Sequence, residues 1–294
     1  MLDSLDQAIS LTAPAKINLA LHVTGQRDDG YHLLDSLVVF AGFGDKITVK
    51  RANADSFHLS GPYGDGLPAD SSNLVLKARD RLRAEFPDEA FPVAINLDKH
   101  LPIASGIGGG SSDAASTLKA LVSLWCIRID PARLNNIGLS LGADVPMCLH
   151  GRPVVARGIG EELEKVATVP RLPMVLVNDG NAISTPQVFN ALKKRNNTGL
   201  PAIPELKNIA DVCAYLEQTK NHLFAATAEL LPEIVETIDA LNSTSPLLAR
   251  MSGSGATCFA IYDNDEAASA AASHLRKTYP SWFVIETHSA EEGH

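Results

Sequence analysis

The feature of this sequence that most restricts its fold is a glycine-rich segment, Pro102–Ser112, which reads PIASGIGGGSS. A strand is predicted before it, and the apolar spacing after it predicts a helix that begins near Ser111 or Ser112. Glycines let backbone N–H groups approach a ligand, and the first turn of a helix offers unpaired N–H groups and the positive end of its dipole. The segment therefore indicates a polyphosphate site, although a flexible turn that only caps the helix is the alternative.

This segment matches neither of the two common nucleotide-binding patterns. The chain contains no GxxxxGK[ST] sequence, and Ser111 stands where GxGxxG requires its third glycine. Two hydrolase classes are disfavoured as well, because Ser252–Gly255 does not match GxSxG and no histidine pair has the spacing of HExxH. The pattern therefore indicates a phosphate-binding loop of a different fold.

The predicted elements mix strands and helices along the whole chain without an internal repeat, which predicts an α+β fold. Apolar and polar residues alternate near the N-terminus, so Lys16 and Asn18 point to the same face of a strand in a largely antiparallel sheet. The predicted strands are Lys16–Val23, Leu37–Val39, Asp45–Arg51, Ser56–Leu59, Val93–Leu97, Met174–Val177, Thr257–Tyr262 and Trp282–Thr287. Further helices are predicted at Asn73–Phe86, Pro131–Leu141, Thr185–Lys194, Asp211–Thr219, Pro232–Leu241 and Glu266–Tyr279.

The chain is long enough for two domains. Its 294 residues correspond to about two domains of ordinary size. The segment Pro153–Pro173 contains several prolines and glycines and is a candidate for the crossing between them. We therefore expect an N-terminal domain over residues 1–160 and a C-terminal domain over residues 161–294.

Charge and cysteine content restrict the partners and the compartment. With 34 acidic and 25 basic side chains the formal net charge is −9, the wrong sign for attraction to nucleic acid or an anionic membrane. No apolar run reaches the roughly 18 residues of a membrane span, and the first residues, MLDSLDQ, are acidic. Buried thiols are favoured over a zinc site or disulfides, because no CxxC pair is formed by Cys126, Cys148, Cys213 and Cys258. A cytoplasmic protein is predicted.

Two charged residues could carry chemistry at an alcohol. Such chemistry needs a carboxylate to accept the hydroxyl proton and a cation to stabilise the developing charge. Lys16 and Asp144 are candidates for this pair. From the residues alone, Lys16 could equally be a solvated edge lysine, and Asp144 a turn or capping carboxylate between a helix and a following strand.

Two further segments allow a ligand or a structural role. Tyr31 and His32 follow a predicted hairpin turn, where an aromatic ring beside an imidazole could stack on a nucleobase or simply pack. The N–H groups of Ser252–Gly255 could contact phosphate or form a tight turn.

Three segments in this order resemble the GHMP kinase superfamily: Pro14–Asn18, Pro102–Ser112 and Met251–Ala256. Further segments are similar to the branch that acts on a cytidine diphosphate-linked methylerythritol in the non-mevalonate isoprenoid route. These are Ala15–Leu19, Thr24–His32, Gly142–Pro146, and Ile183–Pro186 with Phe189. The resemblance spans nearly the whole chain.

The resemblance implies a two-domain α+β fold with the active site in the cleft between the domains, and an N-terminal domain that binds ATP. It implies ATP-dependent, Mg²⁺-assisted phosphorylation of the tertiary 2-hydroxyl of the methylerythritol moiety, with Asp144 as base and Lys16 as catalytic lysine. The implied ATP-binding residues are Asn73 and Lys99 on the adenine side and Pro102, Ile103, Ala104, Ser105, Gly106, Ile107, Gly108, Gly109, Gly110, Ser111 and Ser112. The implied substrate-binding residues are Asn18, Tyr31, His32, Thr185 and Phe189.

The loop departs from the family pattern in small ways. Ser105 and Ile107 replace residues that are more often glycine or alanine and leucine, and Asp113 places a carboxylate after the two serines. Two alternatives stay open: a GHMP kinase for mevalonate, homoserine or a sugar, and a non-catalytic nucleotide sensor on the same fold. We expect small-molecule ligands and a monomer or weak homodimer.

Overall fold

The computed structural model describes residues 8–290, which form an α+β structure as predicted. By their packing these residues form two compact units. Unit 1 contains the chain up to Ala15 together with Phe43–Ile103 and Gly108–Gly151, and unit 2 contains Lys16–Gly42, Ala104–Ile107 and the chain from Arg152 onward. These units are defined by packing and interleave along the chain. They do not test the predicted domain boundary at residue 160, which stays a prediction.

The elements of the first half are mostly strands followed by helices. They are β1 (Ala8–Gln26), β2 (His32–Arg51), β3 (Ser56–Ser60), α1 (Leu74–Glu85), β4 (Val93–Asp98), α2 (Gly109–Leu124), α3 (Pro131–Leu141) and α4 (Val145–His150). The second half of the chain mixes strands and helices. Its elements are β5 (Val154–Gly158), β6 (Glu162–Lys165), β7 (Pro173–Asn178), α5 (Thr185–Asn190), α6 (Ile209–Glu217), α7 (Phe224–Leu230), α8 (Glu233–Asn242), β8 (Leu248–Met251), β9 (Cys258–Ile261), α9 (Asp265–Thr278) and β10 (Phe283–His288).

The first sheet is built around the long strand β2. Its strand order is β3-β4-β2-β5-β6, and β1 also pairs with β2. In unit 1, Lys46–Arg51 of β2 pairs antiparallel with β4, and β3 lies parallel to β4. In unit 2, Leu34–Val38 pairs antiparallel with β5, which pairs with β6. The predicted, largely antiparallel sheet is confirmed.

The second sheet belongs to unit 2. Its order is β10-β7-β9-β8, with neighbouring strands antiparallel. Strand β7 is buried along its whole length, and Val175, Val177 and Cys258 join Leu275 of α9 in one apolar core. Helices α8 and α9 pack on this sheet and bury its apolar residues, so this core stabilises unit 2.

Two local predictions about the elements are wrong. The strands predicted at 37–39 and 45–51 are one strand, because Gly44 serves close packing: a Cβ there would lie 2.1 Å from the Ala13 oxygen. The segment Pro153–Pro173, the candidate for the crossing between domains, contains β5 and β6, and its role as a crossing stays a prediction. Asp144 precedes the short helix α4 instead of a strand, and Pro146 suits the first turn of that helix.

The remaining corrections are smaller. Helix α2 begins at Gly109, earlier than predicted, and α5 ends at Asn190, earlier than the predicted Lys194. Three of the four cysteines are buried as predicted, whereas Cys126 is exposed. It follows the end of α2 in a left-handed conformation with φ of 53°. Within residues 8–290, no helix is long and apolar enough to cross a membrane.

Two stacked histidines join β1 to later parts of unit 2. The rings of His22 and His222 lie 4.3 Å apart between centroids. The Val23 N–H donates to Nδ1 of His222, and the Lys220 N–H donates to Nε2 of His22. Burial, with the nearby His22 and Lys220, lowers the pKa of His222 to about 4. The folded chain therefore holds His222 in its neutral form near neutral pH.

Acid is expected to weaken unit 2 through His222. An unfolded histidine has a pKa of about 6.5, so as the pH falls the unfolded chain takes up this proton first and the native state loses stability until about pH 4. Between pH 7 and pH 5 the loss is about 1–2 kcal/mol. Urea unfolding at both pH values measures it. His222→Asn, whose Oδ1 can accept the same N–H, should lose correspondingly less, and an equal loss in the two proteins would contradict the assignment.

Candidate active site

The glycine-rich loop and the segment Ser252–Thr257 interlock within unit 2. The Thr257 N–H donates to the Ser105 oxygen at 3.0 Å, and the Ser252 hydroxyl donates to the Gly106 oxygen at 3.2 Å. Gly106 has φ of +74°, and a Cβ there would lie 2.6 Å from the oxygens of Ser252 and Gly255. Glycine is therefore required at residue 106 both by the backbone conformation and by the approach of the second segment.

Strand β1 is joined to both of these segments. The Lys16 N–H donates to the Ile107 oxygen at 2.8 Å, and the Asn18 N–H donates to the Ser252 hydroxyl oxygen at 3.1 Å. The Ser252 hydroxyl thus accepts from β1 and donates to Gly106. Of the two interpretations of Ser252–Gly255, the structure supports packing against the glycine-rich loop. The N–H groups of this segment could still also contact phosphate.

Lys16 and Asn18 are buried at this junction, at 6% and 4% exposure, so Lys16 is not a solvated edge lysine. The Ser36 hydroxyl donates to the Ala20 oxygen, so it accepts from Nδ2 of Asn18, which fixes the orientation of the amide. Oδ1 of Asn18 is then left buried without a hydrogen-bond partner among residues 8–290. A buried acceptor of this kind is expected to be satisfied by a ligand or by water.

An aromatic pair lies in the same unit. His32 stacks on the half-buried Phe189 with centroids 4.9 Å apart, and Nε2 of His32 is buried without a partner among the described residues. Burial, with a smaller effect of Arg195, lowers the pKa of His32, so its ring is neutral at pH 7. Tyr31 is 58% exposed, unusual for a large aromatic ring.

Helix α5 connects this pair to the loops. Phe189 lies on α5, and Oγ1 of Thr185 at its first residue is hydrogen-bonded to Oγ of Ser254 at 2.8 Å. The predicted substrate-binding residues Thr185 and Phe189 therefore lie on one helix that contacts the segment packed on the glycine-rich loop.

The second half of the glycine-rich loop opens helix α2 in unit 1. Gly108 is the N-cap with φ of +64°, and the helix begins at Gly109. The Ser112 N–H donates to the Gly108 oxygen, so the N–H groups before it have no intrahelical acceptor. Gly110 is exposed and Ser111 half-buried. The structure thus places a helix N-terminus where the sequence predicted an anion site.

Other predicted ATP-binding residues lie before the loop or at its start, all but Ala104 in unit 1. Asn73 is the N-cap of α1, accepting from the Val75 N–H and donating to the Pro68 oxygen. Lys99 is buried between two carboxylates, those of Asp45 and Asp113. Pro102 is buried and Ile103 half-buried, while Ala104 is exposed with φ of +51°. Their contacts with a nucleotide stay predictions.

Asp144 is half-buried in unit 1, whereas Lys16 belongs to unit 2. Asp144 occupies the N-cap position of α4, yet its carboxylate makes no capping hydrogen bond to the described residues of that helix. Capping is therefore not the role of this side chain. The catalytic roles of both residues stay predictions.

Two residues that support the loops carry no signal in the sequence. The Asn221 amide donates to the oxygens of Met251 and Gly253, both at 2.8 Å, and Arg250 donates to the oxygens of Leu19 and Leu216. Neither side chain belongs to a motif with a known spacing. Their acceptors are backbone carbonyls far away in the sequence, so no local pattern could have revealed them.

Comparisons with known proteins agree with this architecture. The family models described as GHMP kinases N terminal domain and GHMP kinases C terminal match residues 73–152 and 200–281. A crystal structure of homoserine kinase from Cytophaga hutchinsonii shares the fold, with a TM-score of 0.70 at 17% identity over 99% of this chain and 96% of that one. The fold and the two domain matches define the class as the GHMP kinases, which confirms the class predicted from the motifs.

Relatives with higher sequence identity indicate the family within this class. A 4-diphosphocytidyl-2-C-methyl-D-erythritol kinase of Brucella abortus biovar 1 is 55% identical over 286 residues, 96% of this chain and 95% of that protein. The enzyme of that name from Chelativorans sp. is 53% identical over 94% of both chains. A crystal structure of 4-(cytidine 5'-diphospho)-2C-methyl-D-erythritol kinase superposes with a TM-score of 0.79 at 32% identity, covering 96% of this chain and 100% of that chain. The chain belongs to the 4-diphosphocytidyl-2-C-methyl-D-erythritol kinase family.

Proposed function

We propose that this protein transfers the γ-phosphoryl group of ATP to the 2-hydroxyl of 4-diphosphocytidyl-2-C-methyl-D-erythritol. The observation that carries the proposal is the set of contacts in unit 2 that links the glycine-rich loop, the Lys16 strand and the His32–Phe189 pair through Ser252 and Thr185. These contacts hold a phosphate loop and an aromatic pair in fixed positions. This arrangement suits a substrate that carries a nucleobase.

The cytidine end is assigned to Tyr31, His32 and Phe189. A nucleobase stacks well on aromatic rings, and the neutral His32 ring has a buried Nε2 whose hydrogen-bonding capacity no described residue uses. Asn18 offers its buried Oδ1 to a donor on the substrate, such as a hydroxyl group. Mevalonate, homoserine and simple sugars have no base to stack.

The phosphates of ATP are assigned to Gly106–Ser112, where the N–H groups at the start of α2 favour an anion. Asn73 and Lys99 remain assigned to the adenine side. Phosphoryl transfer needs alignment and charge stabilisation more than covalent catalysis. In this proposal Asp144 accepts the proton of the attacking hydroxyl, and Lys16 stabilises the charge on the transferred group.

Mg²⁺ is assigned to the phosphate oxygens of ATP, where it neutralises charge during transfer. Residues 8–290 contain no group of three or more His, Cys, Asp or Glu side chains arranged to hold a metal ion. Nucleotide-bound Mg²⁺ takes most of its ligands from phosphate oxygens and water, with one or two carboxylates from a protein.

The test measures ADP release by the purified protein with Mg-ATP and 4-diphosphocytidyl-2-C-methyl-D-erythritol, beside mevalonate, homoserine and galactose. Turnover of the cytidylyl substrate alone is expected. Preference for another alcohol would keep the kinase and overturn the cytidine assignment. ATP binding without any turnover would favour a nucleotide sensor instead.

Tyr31→Ala is expected to raise the KM for the cytidylyl substrate by about 5- to 150-fold, because base stacking contributes about 1–3 kcal/mol. The values of kcat and the KM for ATP should change little. Since Tyr31 is exposed, folding should be unaffected. Tyr31→Phe keeps the ring and serves as the control, which should behave like wild type. Steady-state kinetics in both substrates checks this, and an unchanged KM in Tyr31→Ala would remove Tyr31 from the base site.

A further inference from the structure

A buried charge cluster lies beneath the start of α2 in unit 1. Nζ of Lys99 is 2.5 Å from Oδ2 of Asp45 and 2.7 Å from Oδ2 of Asp113. The three side chains are only 3%, 0% and 3% exposed. Burying one cation with two carboxylates is costly unless the arrangement serves a purpose that apolar packing would not.

The cluster holds both ends of the glycine-rich loop. Before the loop, Oδ1 of Asp45 accepts the N–H groups of His100 and Leu101 at 2.6 and 2.7 Å. After the loop, Asp113 is part of the first turns of α2. Lys99 joins these two carboxylates, so the residues just before and just after the loop are fixed to each other.

The cluster also lies directly against the loop backbone. A Cβ on Gly109 would be 3.0 Å from Nζ of Lys99 and 3.7 Å from Oδ2 of Asp45. A side chain at the first residue of α2 would therefore press on the ammonium group. Glycine at this position allows the helix N-terminus to rest on Lys99.

The charge of the cluster depends on one proton. Burial, reinforced by the neighbouring Asp45, raises the pKa of Asp113 to about 8 despite the opposing charge of Lys99. Lys99 and Asp45 are the charged groups that act on Asp113 from the surrounding elements. The cluster therefore gains one negative charge when Asp113 loses this proton at higher pH.

We propose that Lys99 is a positioning residue that, held by Asp45 and Asp113, fixes the glycine-rich loop in its phosphate-binding conformation without itself contacting the nucleotide. For Lys99 this replaces the direct adenine-side contact that the family resemblance implies. It rests on the proposed function in one respect, the binding of ATP phosphates by the loop. The enclosed position of Nζ, with both carboxylates in hydrogen-bond range, is what distinguishes positioning from direct contact.

The first test compares ligands that do and do not carry phosphates. Lys99→Met should raise the Kd for Mg-ATP by about 10- to 100-fold, since the loop ends lose their link, but change the Kd for adenosine by less than about threefold. Calorimetry on the full chain measures both. The exposed Lys50→Met on β2 is the matched control and should leave both values unchanged. Equal weakening of adenosine and ATP would show direct contact and overturn the proposal.

A second variant, Asp113→Asn, does not depend on the folding of Lys99→Met. Asp113→Asn leaves a balanced Lys99–Asp45 pair and an amide that can still accept from Lys99. At pH 7 its Kd for Mg-ATP should equal that of wild type. Between pH 7 and pH 9 the Kd of wild type should rise as Asp113 ionises, whereas that of Asp113→Asn should rise less.

The outcomes separate this inference from the proposed function. If wild type and Lys99→Met bind Mg-ATP equally tightly, or if Asp113→Asn at pH 7 weakens adenosine and Mg-ATP alike, the positioning role is overturned while the kinase assignment stands. If wild type binds no Mg-ATP at all, the proposed function fails and the inference fails with it.

Discussion

Replacing Asp144 by asparagine is expected to lower kcat by about 10²- to 10⁴-fold, which corresponds to roughly 3–5 kcal/mol of barrier. Asparagine has nearly the shape of aspartate but cannot accept the hydroxyl proton. Because asparagine keeps the size of the side chain, the loss of kcat is expected to exceed any change in the unfolding temperature. Assays of ADP release at saturating ATP and cytidylyl substrate measure the loss of kcat.

The matched control is Asp88→Asn, the same exchange at an exposed aspartate of unit 1. It should keep the wild-type rate. The KM for ATP should change little in Asp144→Asn, since the base acts on the acceptor. A variant that retains more than a tenth of the wild-type rate would exclude Asp144 as the base.

Gly106→Ala is expected to destabilise the protein by about 3–4 kcal/mol and to abolish ATP binding. Two effects add: alanine is strained at φ of +74°, and its Cβ would lie 2.6 Å from two backbone oxygens of the Ser252–Gly255 segment. Since that segment also binds β1 through Ser252, relieving the clash would move several partners. Denaturant unfolding and calorimetry with Mg-ATP measure the two losses.

Gly180→Ala separates strain from crowding. Gly180 has φ of +94°, but a Cβ on this residue would meet nothing within 4 Å. The substitution should therefore cost only about 1–2 kcal/mol of backbone strain and leave ATP binding intact. If Gly106→Ala were no more destabilising than Gly180→Ala, the interlock of the two segments would not be tight in solution.

The sequence by itself determined the class of fold and most of the elements. Alternating residues around Lys16 and the 3.6-residue spacing after the loop are local signals that survive in the structure as β1 and α2. The family followed from motifs that depend on local geometry, such as glycines at positive φ before a helix. Such signals can be interpreted because their cause lies within a few residues.

Tertiary structure decided what each candidate residue contacts. Nothing in the sequence near Lys16 or Ser252 distinguishes a solvated strand and a tight turn from the buried junction that they form with Gly106 and Ile107. Asp45 likewise gave no sign that it would hold Lys99. These contacts join residues far apart in the chain, and their energy comes from burial and from satisfying polar groups out of water, which local sequence patterns do not encode.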